Sequence, residues 1–411
     1  MTVYRGPTVP VGLTDLQGHS LGSDNFGNLR IGQRYPLLDT YHKYEIDTHI
    51  WGQLTATGGT ITHLPNESAA QLAVTAADGS RAMLRTHTFF RYQAGRPTGA
   101  AFSVFHSAAP TTLSLVRRTS TSGSVVDVDI PRSSWTHDKL DGAADSSFRW
   151  DATKGSIYEL DIAWLGVRGA RFFVNGRLIH VDDNTNELTV PYMTTANLPL
   201  TYEIVNVGTT QYRRWGYFSD NNGYFFQSVS TAASASLKQI CTSVWSDGGD
   251  GNHDYSYAAL AGGVTGVGTA TPLPLIAIRP KLLYNSMTNR SVTLPRGVSA
   301  SADGKNASIV VVMDPTTLTG GSWVSANALS SIEYNATATA ISGGEVLQYA
   351  FVSAGGMVDL DIADLFHQLG RKLRLDAFGT VQGTLAVRGL CEAGGANVSD
   401  MKASIHWVEN R

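Results

Sequence analysis

Residues 151–208 read DATKGSIYELDIAWLGVRGARFFVNGRLIHVDDNTNELTVPYMTTANLPLTYEIVNVG, and this stretch decides the fold. Tyr158, Leu160, Ile162 and Trp164 alternate with Glu159, Asp161 and Ala163, the period-two pattern of a strand with one buried face. Then come ARFFV, the pair Asn175-Gly176, and RLIHV. Asn-Gly between two β-rich runs marks a tight hairpin, because a type I′ turn needs positive φ at both central residues. Leu200, Tyr202 and Ile204 resume the alternation after the punctuation of Pro191 and Pro199. The pattern is that of an antiparallel sandwich.

Working outward, short alternating runs recur on both sides: RAMLRTHTFF from Arg81, GAAFSVFH from Gly99, LSLVRR from Leu113, VVDVDI from Val125 and LKQICTSVW from Leu237. After Pro272 the same grammar continues in LPLIAIRP, ASIVVVM, VLQYAFV and ASIHWV, with one helix expected at Asp361–Leu369. The expected fold class is all-β: an N-terminal jelly-roll or concanavalin-like β-sandwich followed by a second, smaller antiparallel β-sandwich. The expected division is an N-terminal arm over 1–34, the jelly roll over 35–250, a Gly-rich linker over 251–271 and the second sandwich over 272–411.

Composition narrows the function. The 411 residues carry a formal net charge of −3, and only 16% are charged, so no basic face for nucleic acid is expected. No apolar run is long enough for a membrane helix, so membrane insertion is not expected. Two cysteines, Cys241 and Cys391, cannot make a disulfide framework. The opening MTVYRGPTVPVGLTDLQGHS has no charged segment followed by an apolar one, so folding in a reducing cytosol is expected.

Several blocks, in order, resemble a family of tailed-bacteriophage virion structural proteins known chiefly from environmental phage genomes. They are DNFGNLRI, FFRYQAGRPTG, SLVRRTSTSG, IPRSSWTHDKLDG, IYELDIAWLGVRGARFFVNGRLIH, PYMTTANLPLTYEIVNVGTT and SLKQICTSVWSDGG, then PLPLIAIRP, DPTTLTGGSW and the closing SIHW. The resemblance runs from about residue 24 onward and is densest between Arg85 and Gly249. It implies a virion component, assembled in the host cytoplasm, with a lectin-like jelly-roll domain of the kind found in neck or tail fibres and capsid decoration. It brings no catalytic residues, so an enzyme is not expected. The implied partners are other head, neck or tail proteins and further copies of the chain, a homotrimer being favoured. A host-glycan-binding adhesin is the alternative. The segment YRRWGYFSDNNGYFFQ is longer and more aromatic than the family pattern.

That segment supplies the candidate binding residues Arg213, Arg214, Trp215, Tyr217, Tyr224, Phe225 and Phe226, read as an insertion hairpin touching a neighbouring subunit or a glycan. Subunit contact is the simpler reading, since aromatics and Arg are enriched at interfaces. Asp247, Asp250, Asn252 and Asp254 in SDGGDGNHD offer closely spaced hard oxygens suited to Ca²⁺, but lack the Glu that closes an EF-hand loop. A solvated Gly-Asp linker is the preferred reading, and no other cofactor is expected. The acidic residues Glu159, Asp161 and Glu203 are too ordinary, on outer strand faces, to be read as a glycosidase pair.

Overall fold

The computed structural model describes residues 34–410 except 93–96, 107–111, 145–146, 164–168, 185–188, 196, 232–233, 247–254, 261–262, 369–371 and 393–397. Among the described residues almost every regular element is a strand, the strand pairings are antiparallel, and the α-helix is the short Ala363–Gln368. Among the described residues no helix is long and apolar enough to cross a membrane. The chain forms two compact units: Met1–Asp47, Gln53–Arg85 and Phe90–Gly251 in one, Thr48–Gly52, Thr86–Phe89 and Asn252–Arg411 in the other.

The first unit is a sandwich of an eight-stranded and a seven-stranded sheet. The eight-stranded sheet runs Arg177–Asp182, Ala170–Val174, Ser156–Ile162, Thr98–His106, Ala235–Ser246, Ala69–Val74, Thr60–Leu64, with Tyr35–Tyr41 also paired to Ala235–Ser246. The seven-stranded sheet runs Trp51–Ala56, Arg81–Thr86, Leu200–Val207, Thr210–Phe218, Gly223–Ser230, Thr112–Thr119, Val126–Pro131. The Asn-Gly hairpin forms as expected: Asn175 has φ 49° and Gly176 φ 76°, and Val174 pairs with Arg177 across it.

Aromatic side chains bind the two sheets face to face. Tyr158 and Phe172 from the larger sheet meet Trp215, Tyr224 and Phe226 from the smaller, with ring centroids 4.9–5.7 Å apart and steeply inclined. Within the smaller sheet Trp215 stacks on Phe226 at 5.9 Å and 7°. Edge-to-face contacts of this kind add to the burial of large apolar surface. All five of these side chains are buried.

This corrects the reading of Arg213–Phe226 as an insertion that reaches a partner. Thr210–Phe218 and Gly223–Ser230 are the middle strands of the seven-stranded sheet, paired with each other and with neighbours on both sides. Trp215, Tyr217, Tyr224 and Phe226 face the opposite sheet and Phe225 packs with Val116 and Phe218 on the other face. The segment is rich in aromatics because a two-sided central strand must fill space on both faces.

The second unit pairs a five-stranded sheet with a six-stranded one. Tyr255–Leu260, Ser399–Asn410, Val292–Ala302 and Gly356–Asp361 lie in order in the first, with Val264–Val267 also on Ser399–Asn410. Val324–Ser325, Ile332–Asn335, Leu273–Pro280, Leu385–Cys391, Ala307–Met313 and Glu345–Val352 form the second. Their apolar faces share one core, including Ile276, Ile309, Val387, Ile405 and Trp407. Two of these strands lie inside the stretch 251–271 expected to be linker. Ala259 and Val267 are buried in the second core there, and the surrounding glycines masked those short runs in the sequence. Residues 1–33 of the expected arm lie outside the described residues.

Truncating Trp215 to Ala in this core is expected to lower the unfolding free energy by about 3–5 kcal/mol, as for other buried aromatic deletions. Denaturant unfolding measures it. Unchanged stability would put the indole on the surface instead.

Candidate functional site

On the face of the seven-stranded sheet that turns away from the sandwich core, cross-strand register sets long polar side chains side by side. Glu203 lies directly opposite Arg214, Arg214 opposite Gln227, and Arg118 opposite Asp127. Arg81 sits opposite Val205, one diagonal step from Glu203. Each is at an alternate position in its strand, so all project from one face.

The result is a continuous row of charged hydrogen bonds. Arg81 Nε donates to Glu203 Oε1 at 2.6 Å, and Arg214 Nη1 donates to Glu203 Oε2 at 3.2 Å. Arg214 Nε then donates to Gln227 Oε1 at 2.9 Å. Arg118 grips Asp127 with two bonds of 2.7 and 2.8 Å, and Arg85 grips Asp220 with two of 2.8 Å. Paired N–H donors matched to a carboxylate give fixed geometry as well as energy. Beneath them, the Arg118 guanidinium lies over Phe225 and Phe218 at 5.2 and 5.6 Å, and Arg214 over Tyr212 and Phe225 at 5.2 and 5.7 Å.

These side chains border a shallow groove of about 360 Å³. Arg81, Arg118, Glu203, Arg214 and Asp220 supply its polar lining, and Val125, Val205 and Val207 its apolar one. Such a surface offers paired donors and acceptors to hydroxyl groups, and the exposed Val125 and Val207 offer apolar contact to C–H faces. Burial alone would raise Asp127, but the hydrogen bond and charge of Arg118 outweigh it and hold the carboxyl below its usual value. The Arg85 hydrogen bond likewise holds Asp220 low against partial burial. Both carboxyls are thereby held toward their ionised forms.

Of the seven binding residues expected from the sequence, the groove takes Arg214 alone. Arg213 points into the core, Trp215, Tyr217, Tyr224 and Phe226 are inside the sandwich, and Phe225 lies under the guanidinium groups. Asp247, Asp250, Asn252 and Asp254 fall outside the described residues. Among the described residues no group of three or more His, Cys, Asp or Glu is arranged to hold a metal ion. The acidic residues also divide: Asp161 pairs with Arg171 and Glu159 with Arg34 at 3.5 Å, on the larger sheet, while Glu203 is on the smaller. Asp161 and Glu203 are nearly buried beneath their arginine partners rather than exposed as their outward positions suggested.

Arg81, Glu203, Asp220 and Gln227 were not singled out as binding residues. Alternation could have placed Glu203 and Arg214 on one face, and it splits Arg117 from Arg118. Arg117 faces inward to Asp182 at 3.1 Å, Arg118 outward to Asp127. The pairing of distant strands that brings Arg81 beside Glu203 leaves no local signal.

No protein-family model matches the chain, and no curated protein does. Among solved structures, one from work on endo-acting O-glycanases of the human gut microbiota aligns over 51% of this chain and 99% of its own, at 11% identity and TM-score 0.32. The lectin from Bauhinia forficata in complex with GalNAc covers 51% and 97% at 12% identity and TM-score 0.19, and lectin II from Ulex europaeus 51% and 99% at 11% and 0.19. Scores this low carry no inference about function.

Glu203→Gln removes the charge that Arg81 and Arg214 share, and should cost about 1.5–3 kcal/mol, the scale of a charged hydrogen bond. Denaturant midpoints compared with wild type test this; an unchanged midpoint would contradict the paired row.

Proposed function

We propose that this chain is a non-catalytic glycan-binding adhesin whose first sandwich presents the arginine-bordered groove to a neutral or weakly acidic sugar. The observation that carries the reading is the preordered row Arg81–Glu203–Arg214–Gln227, with the exposed Val125 and Val207 beside it. Its side chains are already held by one another, so a sugar hydroxyl meets fixed partners and little ordering cost falls on binding. The groove is open and shallow, which suits an extended chain of sugars better than an enclosed small molecule.

Such an adhesin would serve as a neck- or tail-associated fibre or spike of a tailed phage, the setting that the family resemblance implies; capsid decoration is the neighbouring possibility. A second observation favours assembly alongside binding. Strand Glu345–Val352 closes one edge of its sheet and exposes Val346, Tyr349 and Phe351, while Met357 is exposed on Gly356–Asp361. An uncovered edge with large apolar side chains suits contact with further copies of the chain, a trimer being one closed arrangement.

The test is a glycan array probed with the whole chain, followed by calorimetry on any hit. Binding should weaken about tenfold or more in Arg214→Ala, on the scale of one lost charged hydrogen bond. Absence of binding to every glycan and to host envelope fractions would overturn the adhesin reading and leave assembly.

A further inference from the structure

Arg213 is fully buried between the two sheets of the first unit. Its Nε donates to Ser236 O at 3.2 Å and its Nη1 to Ser230 Oγ at 3.1 Å, both neutral acceptors. Nη2 has no hydrogen-bond partner among the described residues. Burial pulls the guanidinium down to about 10, which still leaves it charged at neutral pH, and no carboxylate among the described residues offsets that shift. A buried cation without a counter-charge is costly, because neutral hydrogen bonds only partly replace the hydration it gives up.

Three nearby residues also carry buried polar atoms with no partner among the described residues: Trp215 Nε1, Ser228 Oγ and both ring nitrogens of His106. Ser228 is the direct cross-strand neighbour of Arg213, and Trp215 is two residues along on the same face. His106 comes from the opposite sheet, its ring 5.2 Å from that of Trp215. Donors predominate: guanidinium and indole only donate, while hydroxyl and neutral imidazole each bring one donor beside their acceptor capacity.

We propose that these four side chains enclose a site for a small monovalent anion of the halide class, which neutralises Arg213 and accepts from Trp215, Ser228 and His106. A water would leave the cation unneutralised. The site lies on the inner face of the sheet whose outer face carries the groove, so it is a structural ligand of the sandwich and separate from the glycan reading.

The test begins with full-length chain unfolded and refolded in chloride-free sodium gluconate, an anion too large for the core. Sodium bromide is then added at constant ionic strength. The melting temperature should rise with bromide and level off at saturation, as binding to the native state alone requires. Crystals grown in bromide should show an anomalous peak within hydrogen-bond reach of Arg213 Nη2. Ser228→Ala deletes one donor with little change of shape and should weaken the bromide dependence several-fold; Arg213→Met should abolish it. Because that last variant can fail to fold, the anomalous measurement is made on wild type. An ordered water without anomalous signal, or equal melting temperatures in gluconate and bromide, would overturn the proposal.

Discussion

The first sandwich depends on the aromatic layer between its sheets. Tyr158 and Phe172 on one side and Trp215, Tyr224 and Phe226 on the other interlock at angles that let ring edges meet ring faces. Fixing Thr210–Phe218 and Gly223–Ser230 this way has a consequence on the opposite face. With the strand register set from inside, the outward residues Glu203, Arg214 and Gln227 are forced into one row. The inner packing therefore creates the outer site, and the row adds its own bonds to the strands that carry it.

The same constraint explains where charge sits. Arginine occurs on both faces of the seven-stranded sheet but is treated differently. Outside, Arg81, Arg118 and Arg214 meet carboxylates and aromatic faces at the edge of solvent, where their desolvation is incomplete. Inside, Arg117 reaches Asp182, whose carboxylate also accepts from Tyr224, whereas Arg213 meets only neutral oxygens. That difference is what the proposed anion would offset.

Much of the fold was legible because its turns and one-sided strands obey simple rules. Asn175-Gly176 could be read directly, since few residue pairs tolerate positive φ twice in succession. Tyr158, Leu160 and Ile162 gave their buried face by alternation alone. The reading failed where alternation vanishes. In Gly223–Ser230 both faces are covered, by the opposite sheet on one side and by arginine stems on the other, so YFFQ shows no period of two and looked like an exposed aromatic cluster. Tyr255–Leu260 and Val264–Val267 failed for a different reason: each is short, and glycine between them suggested a linker. The groove itself rests on Arg81 meeting Glu203 across 122 positions of sequence, a pairing that only the folded topology supplies.

The central claim is that Thr210–Phe218 and Gly223–Ser230 are the interior strands of the first sandwich, and amide hydrogen exchange on the whole chain tests it most directly. Amides in these two strands should be among the slowest in the first unit, exchanging only on wide opening of the sandwich. Exchange as fast as that of the exposed turn at Thr121–Gly123 would contradict the account and return the segment to a surface hairpin.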